Sequence, residues 1–243
     1  MNKVNINQIQ TFKNSEKSFA TLTAYDFNSA AILNEAKIPL ILVGDSASMT
    51  IYGYDTTLPV SMDEMLLVVK AVTRACDYSL VVADMPFLSY QPSVEETIKN
   101  AGILMKEGGA GAVKLEGGQH VEQNIKALVD SGIPVLGHIG LTPQSFHQLS
   151  GYKIQGKTPQ AAQKIINDAM AVQRAGAFGV VLECIPESLA SQITEKLTIP
   201  TIGIGSGKTC DGQIQVFHDV MGLSKQQPPK HAMQYASIYQ EMK

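Results

Sequence analysis

Apolar residues in this chain come in short unbroken runs, separated by longer stretches in which they recur every third or fourth position. The runs are "ATLTAY" (20–25), "PLILV" (39–43), "SLVVA" (79–83), "AVKLE" (112–116), "PVLGHIG" (134–140), "GVVLEC" (179–184) and "PTIGIGSG" (200–207). A weaker eighth, "QIQVFHD", covers 213–219. Runs of this length, bounded by Gly or Pro, predict strands buried on both faces. Between them, residues 61–74, 92–106, 120–130, 159–174 and 187–197 have helical spacing, as Met62, Met65, Leu66, Val69 and Val72 show in the first. Ser93-Val-Glu-Glu96 has the pattern of a capping box, and Gly or Pro stops the helices before most strands.

The alternation amounts to about eight β-α repeats with no break in composition, which predicts one (β/α)8 TIM barrel over residues 1–243. The competing architecture is an open doubly wound sheet, but no Gly-x-Gly-x-x-Gly opens a first helix. The glycine-rich stretch 203–207 follows the seventh run, where barrels commonly place an anion-binding loop.

Composition narrows the function classes. Hydrophobic residues make up 44% and charged residues 17%, with a net charge of −3 and no basic run, so no nucleic-acid partner is expected. The polar N-terminus has no signal-peptide pattern, and no apolar run approaches a membrane span. Cys76, Cys184 and Cys210 are sparse and odd in number, which fits a reducing, cytoplasmic location.

The placement of charge carries the chemistry. Asp26 follows the first strand, Asp45 and Ser46 the second and Asp84 the third; Lys114 and Glu116 lie in the fourth, His138 in the fifth, and Glu183 at the end of the sixth. In a barrel these ends converge on the face where active sites are built. Each has a bland explanation: a helix N-cap for Asp26, a bond to its own backbone for Asp45, a satisfied core histidine for His138. Buried charges are costly unless paired or bound to metal, and polar groups at six successive strand ends would need a separate excuse each. Lys114 and Glu116 are two apart and so share one strand face. Asp45, Asp84 and Glu116 offer hard oxygen donors suited to Mg²⁺, and no Cys or His set favours zinc. Lys114 offsets part of that charge or meets a substrate carboxylate. Glu183 ends an apolar strand and suits a general base. Metal, base and cation together point to a chelating 2-oxo acid whose enolate the metal stabilises. The residues alone do not name the electrophile.

Ten motifs follow one another in a specific order: "TAYD" (23–26), "VGDS" (43–46), "TLPV" (57–60), "ADMPF" (83–87), "VKLEGG" (113–118), "GHIGLTPQS" (137–145), "GYKIQG" (151–156), "LECIP" (182–186), "IPTIGIGSG" (199–207) and "DGQIQVFHD" (211–219). Together they resemble the ketopantoate (3-methyl-2-oxobutanoate) hydroxymethyltransferase family over nearly the whole chain. The resemblance implies a barrel of the phosphoenolpyruvate/pyruvate superfamily, assembled as a homodecamer and acting in pantothenate biosynthesis. It implies transfer of a hydroxymethyl group from 5,10-methylenetetrahydrofolate to 3-methyl-2-oxobutanoate. By motif, one Mg²⁺ per subunit would sit on Asp45, Asp84 and Glu116. Asp45, Ser46, Asp84 and Lys114 would hold the keto acid, Glu183 would accept the proton, and His138 would lie in the active site. The family's "GDSLGM" reads "GDSASM" here, so Ser48 is expected to alter that loop. The family's "PKF" reads Pro229-Lys230-His231, and the chain stops at Lys243, short of many relatives. Two other classes compete. A carbon–carbon lyase or phosphonomutase of the same superfamily would carry a Lys-Cys-Gly loop, which is absent. A binding module on a degenerate barrel would not require Asp45, Asp84, Lys114, Glu116 and Glu183 together.

Overall fold

The structure, a computed structural model, describes residues 3–13, 15, 18–149, 151–225 and 227–243. Eight parallel strands, β1 (Phe19–Thr23), β2 (Leu40–Val43), β3 (Leu80–Asp84), β4 (Ala112–Glu116), β5 (Val135–Gly140), β6 (Gly179–Glu183), β7 (Thr201–Ile204) and β8 (Gly212–Gln215), pair in chain order. β8 returns to β1 and closes the barrel. Helices α1 (Ile6–Gln10), α2 (Phe27–Glu35), α3 (Ala47–Thr50), α4 (Met62–Ala75), α5 (Val94–Lys106), α6 (Glu122–Asp130), α7 (Phe146–Leu149), α8 (Pro159–Arg174), α9 (Glu187–Lys196), α10 (Phe217–Met221) and α11 (Ile238–Met242) complete the described elements.

Strands β2 to β6 are mostly apolar on both faces because each separates two cores. Ile41, Val43, Val81, Ala83, Val113 and Leu115 pack outward with helix residues such as Met65, Val69 and Leu104. Leu40, Leu42, Leu80, Val82, Ala112, Leu136 and Val181 fill the barrel with Val4 and Ile9 from the N-terminal segment. Strand alternation then fixes what points inward at the far ends. Asp84 follows Leu80 and Val82 on the inner face, Lys114 and Glu116 follow Ala112, His138 follows Leu136, and Glu183 follows Val181. Register sets Asp84 opposite Lys114, Glu116 opposite His138, and Gly140 opposite Glu183.

Several expectations need correction. The repeat is incomplete: a loop, with no helix, joins β7 to β8. That loop is not an open anion seat, because the Lys208 N–H donates to Glu187 Oε1 at 3.2 Å and a side chain at Gly207 would run into Glu187. The eighth run is strand only to Gln215, and Phe217 begins α10. Helix α2 has no counterpart among the expected helices because Phe27 and Ile32 stay exposed, which blurs its apolar stripe. The box at Ser93 is one-sided, its Oγ accepting from the Glu96 N–H, whereas Ser61 and Glu64 form the reciprocal pair. Ser48 itself lies in α3, fully buried, and its hydroxyl donates to Thr56 O at 2.7 Å.

Asp26 takes its bland role. It caps α2, its Oδ1 accepting from the Asn28 and Ser29 N–H groups at 2.8 and 2.9 Å. Burial pushes its carboxyl up, but the bonds from Ser29 and Asn28 more than offset this, so its net pKa is lowered. A depressed folded-state pKa means that the cap stabilises above the ordinary carboxylate range and is lost as pH falls through the folded value. Asp26→Ala is expected to cost about 1 kcal/mol at neutral pH. Urea unfolding at neutral and acid pH checks this: the difference from wild type should shrink in acid.

Candidate active site

Asp45, Ser46, Asp84, Lys114, Glu116, His138 and Glu183 line one cavity of 760 Å³ at the C-terminal end of the barrel. The structure therefore brings together every site residue expected from the sequence. Lys114 is the hub. Its Nζ lies 2.8 Å from Asp84 Oδ1 and 3.2 Å from His138 Nδ1, but 4.0 Å from Glu116 Oε1. The cation and anion that share the β4 face thus have separate nearest partners. His138 Nδ1 is 3.4 Å from Glu116 Oε1, and His138 Nε2 is 3.1 Å from Glu183 Oε2. The result is a connected row, Asp84–Lys114–His138–Glu183, with two cationic groups between two carboxylates and Glu116 beside its middle.

Burial governs the proton affinities. Burial, and then the charges of Asp84 and Glu116, hold Asp45 well above the usual carboxylate range. Asp84 is raised by burial, with Lys114 opposing. Burial would raise Glu116 too, but its contacts with His138 and Lys114 prevail and lower it. Burial pushes Lys114 down, yet Asp84, Glu116 and Asp45 outweigh it and raise its pKa. Burial and Lys114 push His138 down, but its bonds to Glu116 and Glu183 bring it up to about 9. His138 Nδ1 cannot both accept from Lys114 and donate to Glu116. The carboxylates on both sides favour the imidazolium, which donates to Glu116 and Glu183 and tolerates Lys114 as a neighbour.

A frame behind these groups lay outside the expected site residues, although Gln144 falls within the "GHIGLTPQS" motif. Gln144, in a turn of 3₁₀ helix over Pro143–Ser145, donates from Nε2 to Asp45 Oδ2 at 3.0 Å and to Met85 O at 2.9 Å. Its backbone N–H donates to Glu116 Oε2 at 3.0 Å. The Tyr90 hydroxyl donates to Gln144 Oε1 at 2.8 Å and accepts from the Glu116 N–H. The Asp45 N–H donates to Asp84 Oδ2 at 3.1 Å. Ser46 shares a 2.7 Å bond with the Tyr25 hydroxyl, whose pKa burial pushes up to about 12. Glutamine and tyrosine are common in loops, and nothing in their spacing marks these two. Next to Glu183, Cys184 holds a left-handed φ of +47°, locked by hydrogen bonds from its N–H to Ile204 O and from the Gln155 N–H to its carbonyl. Such strain in a non-glycine residue is typical of functional sites. Gly140 is required nearby: its φ is +95°, and a Cβ there would lie 2.3 Å from Glu183 O.

Asp45, Asp84 and Glu116 each spend one oxygen on this frame. Of the others, Asp84 Oδ1 is paired with Lys114 Nζ at 2.8 Å and Glu116 Oε1 lies 3.4 Å from His138 Nδ1, so both face the cationic side of the cluster. Among the described residues, no three His, Cys, Asp or Glu side chains are gathered closely enough to cage an ion by themselves. Mg²⁺ does not demand such a cage, since it commonly takes one or two carboxylates and completes its shell with water and substrate oxygens. The donor set fits that ion.

The family model for ketopantoate hydroxymethyltransferase matches residues 3–243. A 3-methyl-2-oxobutanoate hydroxymethyltransferase of Carboxydothermus hydrogenoformans is 52% identical over 98% of this chain and 86% of its own length. One of the same name from Geobacter metallireducens is 52% identical over 96% of this chain and 87% of its own. Among solved structures, a phosphonomutase-like protein of Burkholderia cenocepacia superposes with a TM-score of 0.68 at 15% identity, covering 86% of this chain and 91% of that one. A 2,3-dimethylmalate lyase of the phosphoenolpyruvate mutase/isocitrate lyase superfamily gives 0.63 at 14%, covering 88% and 78%. At such identities these structures share the fold alone.

Replacing Gln144 by Leu strips the carboxylate frame of two side-chain donors, leaving Asp45 Oδ2 and Met85 O unpaired. The expected cost is about 1–3 kcal/mol in stability. Mg²⁺ affinity should fall about 10–100-fold. Denaturant unfolding and calorimetric Mg²⁺ titration measure the two effects.

Proposed function

The chain belongs to the ketopantoate hydroxymethyltransferase family, and from that premise we propose that it transfers a hydroxymethyl group from 5,10-methylenetetrahydrofolate to 3-methyl-2-oxobutanoate in pantothenate biosynthesis. The products are 2-dehydropantoate and tetrahydrofolate. One observation carries the reading: a carboxylate at the cavity wall, Glu183, is tied through His138 to a buried cluster of Asp84, Lys114 and Glu116. That arrangement suits a substrate whose one end is an anionic chelate and whose other end must lose a proton.

Glu183 takes the C3 proton. Its side chain is 16% exposed, open to the cavity but not to bulk water. His138 orients it and limits the build-up of negative charge. Lys114, with Ser46 and the faces of Asp45 and Asp84, holds the 2-oxo acid so that C3 faces Glu183. Mg²⁺, one ion per subunit on Asp45, Asp84 and Glu116, would supply Lewis-acid polarisation of the 2-oxo carbonyl. Water adds to the one-carbon unit and both folate nitrogens leave it as tetrahydrofolate, which frees the carbon at the level of formaldehyde; the C3 electron pair then attacks that carbon, and its oxygen takes up a proton to become the new hydroxyl. The protein is proposed to work in the cytoplasm as a homodecamer. Among the described residues, no helix is long and apolar enough to cross a membrane.

Incubating the protein with 3-methyl-2-oxobutanoate and Mg²⁺ in D₂O should exchange the C3 proton, as read by NMR. Adding methylenetetrahydrofolate should then give 2-dehydropantoate. Exchange without product would sink the transferase assignment. A bound metal without exchange would favour a binding module. Glu183→Gln should slow exchange by about 10²–10⁴-fold with keto-acid affinity nearly unchanged. Exchange at the wild-type rate would remove Glu183 from the role of base.

A further inference from the structure

The cavity is larger than its acid–base groups require. Its 760 Å³ lies within the ~300–1,000 Å³ of pockets that bury drug-sized ligands. A small keto acid held by Lys114 and the carboxylates fills a minor part. The rest extends over the ends of β8 and β1 to Thr57.

That outer wall carries unspent polarity. Thr57 is 2% exposed, yet its Oγ1 has no hydrogen-bond partner. Gln215 Oε1 and His218 Nδ1 are likewise buried and unpartnered. Burying such an atom without a partner is unfavourable, since it loses its bonds to water and gains none in return. All three line the same open cavity and therefore mark places where a ligand completes the bonding. Asp219 lies beside them, half-buried, and no described residue donates a hydrogen bond to its carboxylate. Burial raises its proton affinity, with His231 opposing. The wall is also joined to the inner site. The His218 ring packs on Tyr25, centroids 5.3 Å apart, and the Tyr25 hydroxyl is bonded to Ser46.

We propose that Thr57, Gln215, His218 and Asp219 form the seat of the pterin ring of the folate co-substrate. The inference rests on the transferase reading and assigns residues that this reading leaves open. A pterin presents two adjacent donors, N3–H and the 2-amino group, along one edge. A carboxylate accepts both at once, which is the strong two-point arrangement, and Asp219 is the acceptor free to do so. Gln215 and Thr57 offer both donor and acceptor atoms for the remaining ring edge. The half-strand, half-helix run at 213–219 thereby acquires a purpose, since it places Gln215 on β8 and Asp219 on α10 against one ligand.

Calorimetric titration with tetrahydrofolate tests the seat. Asp219→Asn should weaken its binding about tenfold or more, because a donor then faces the ring's N3–H. Gln215→Leu should weaken it by a smaller factor in the same direction. Keto-acid binding in the presence of Mg²⁺ reports that each variant is folded. If Asp219→Asn does not fold, Gln215→Leu and Thr57→Val decide the question. Wild-type tetrahydrofolate affinity in every folded variant overturns the seat, as does absence of tetrahydrofolate binding to the wild type. The two readings fail separately. Wild-type C3 exchange without any effect of the variants removes only the seat. Weakened tetrahydrofolate binding in a protein that never exchanges C3 keeps the seat and removes the transferase.

Discussion

The site is built on one ion pair, Lys114 with Asp84 at 2.8 Å, both side chains no more than 4% exposed. Neither charge can be buried alone without a cost of several kcal/mol, and a buried pair stripped of one partner loses about 3–5 kcal/mol. Asp45 and Glu116 crowd further negative charge around it, and His138 returns some positive charge. A surplus of carboxylates around one ammonium is a poor way to stabilise a barrel. It is a suitable way to hold a dication and an anionic substrate, because a bound dication supplies the missing positive charge.

Holding that cluster open needs a rigid backing. Tyr90 and Gln144 supply it by bonding the backbone of Glu116 and the side chains of Asp45 and Glu116 from outside the cavity. Asp84 and Glu116 are thus fixed by a backbone N–H on one oxygen and face a cationic side chain with the other. The same economy appears at β6, where Gly140 gives Glu183 its close backbone neighbour and the left-handed Cys184 turns the chain away immediately after the base. Backbone strain and glycine sit where the chemistry is proposed, and ordinary caps such as Asp26 lie elsewhere on the rim.

Relatives with half of their residues identical share the family, whereas barrels with about one-seventh identical share only the architecture. The barrel architecture specifies where strand ends converge. What distinguishes this chain is which side chains it puts there, and, on the β8–α10 side, a second wall of polar groups without partners.

The sequence by itself determined the number and order of strands and the identity of the inward-facing charges. Those follow from short-range rules: strand runs must be apolar on both faces, and side chains two apart share a face, so Lys114 and Glu116 had to point together. It also fixed Asp26 as a residue able to cap the next helix. Only the tertiary structure decided the partners. Lys114 chose Asp84 over Glu116 because register places Asp84 on the adjacent strand directly opposite. Gln144 became a clamp because a turn after β5 brings it against residues 99 positions away in the chain. The missing helix between β7 and β8 and the helical end of the eighth run were likewise set by closure of the barrel onto β1. Contacts between distant segments are a property of register and closure, and the spacing of residues along one chain does not encode them.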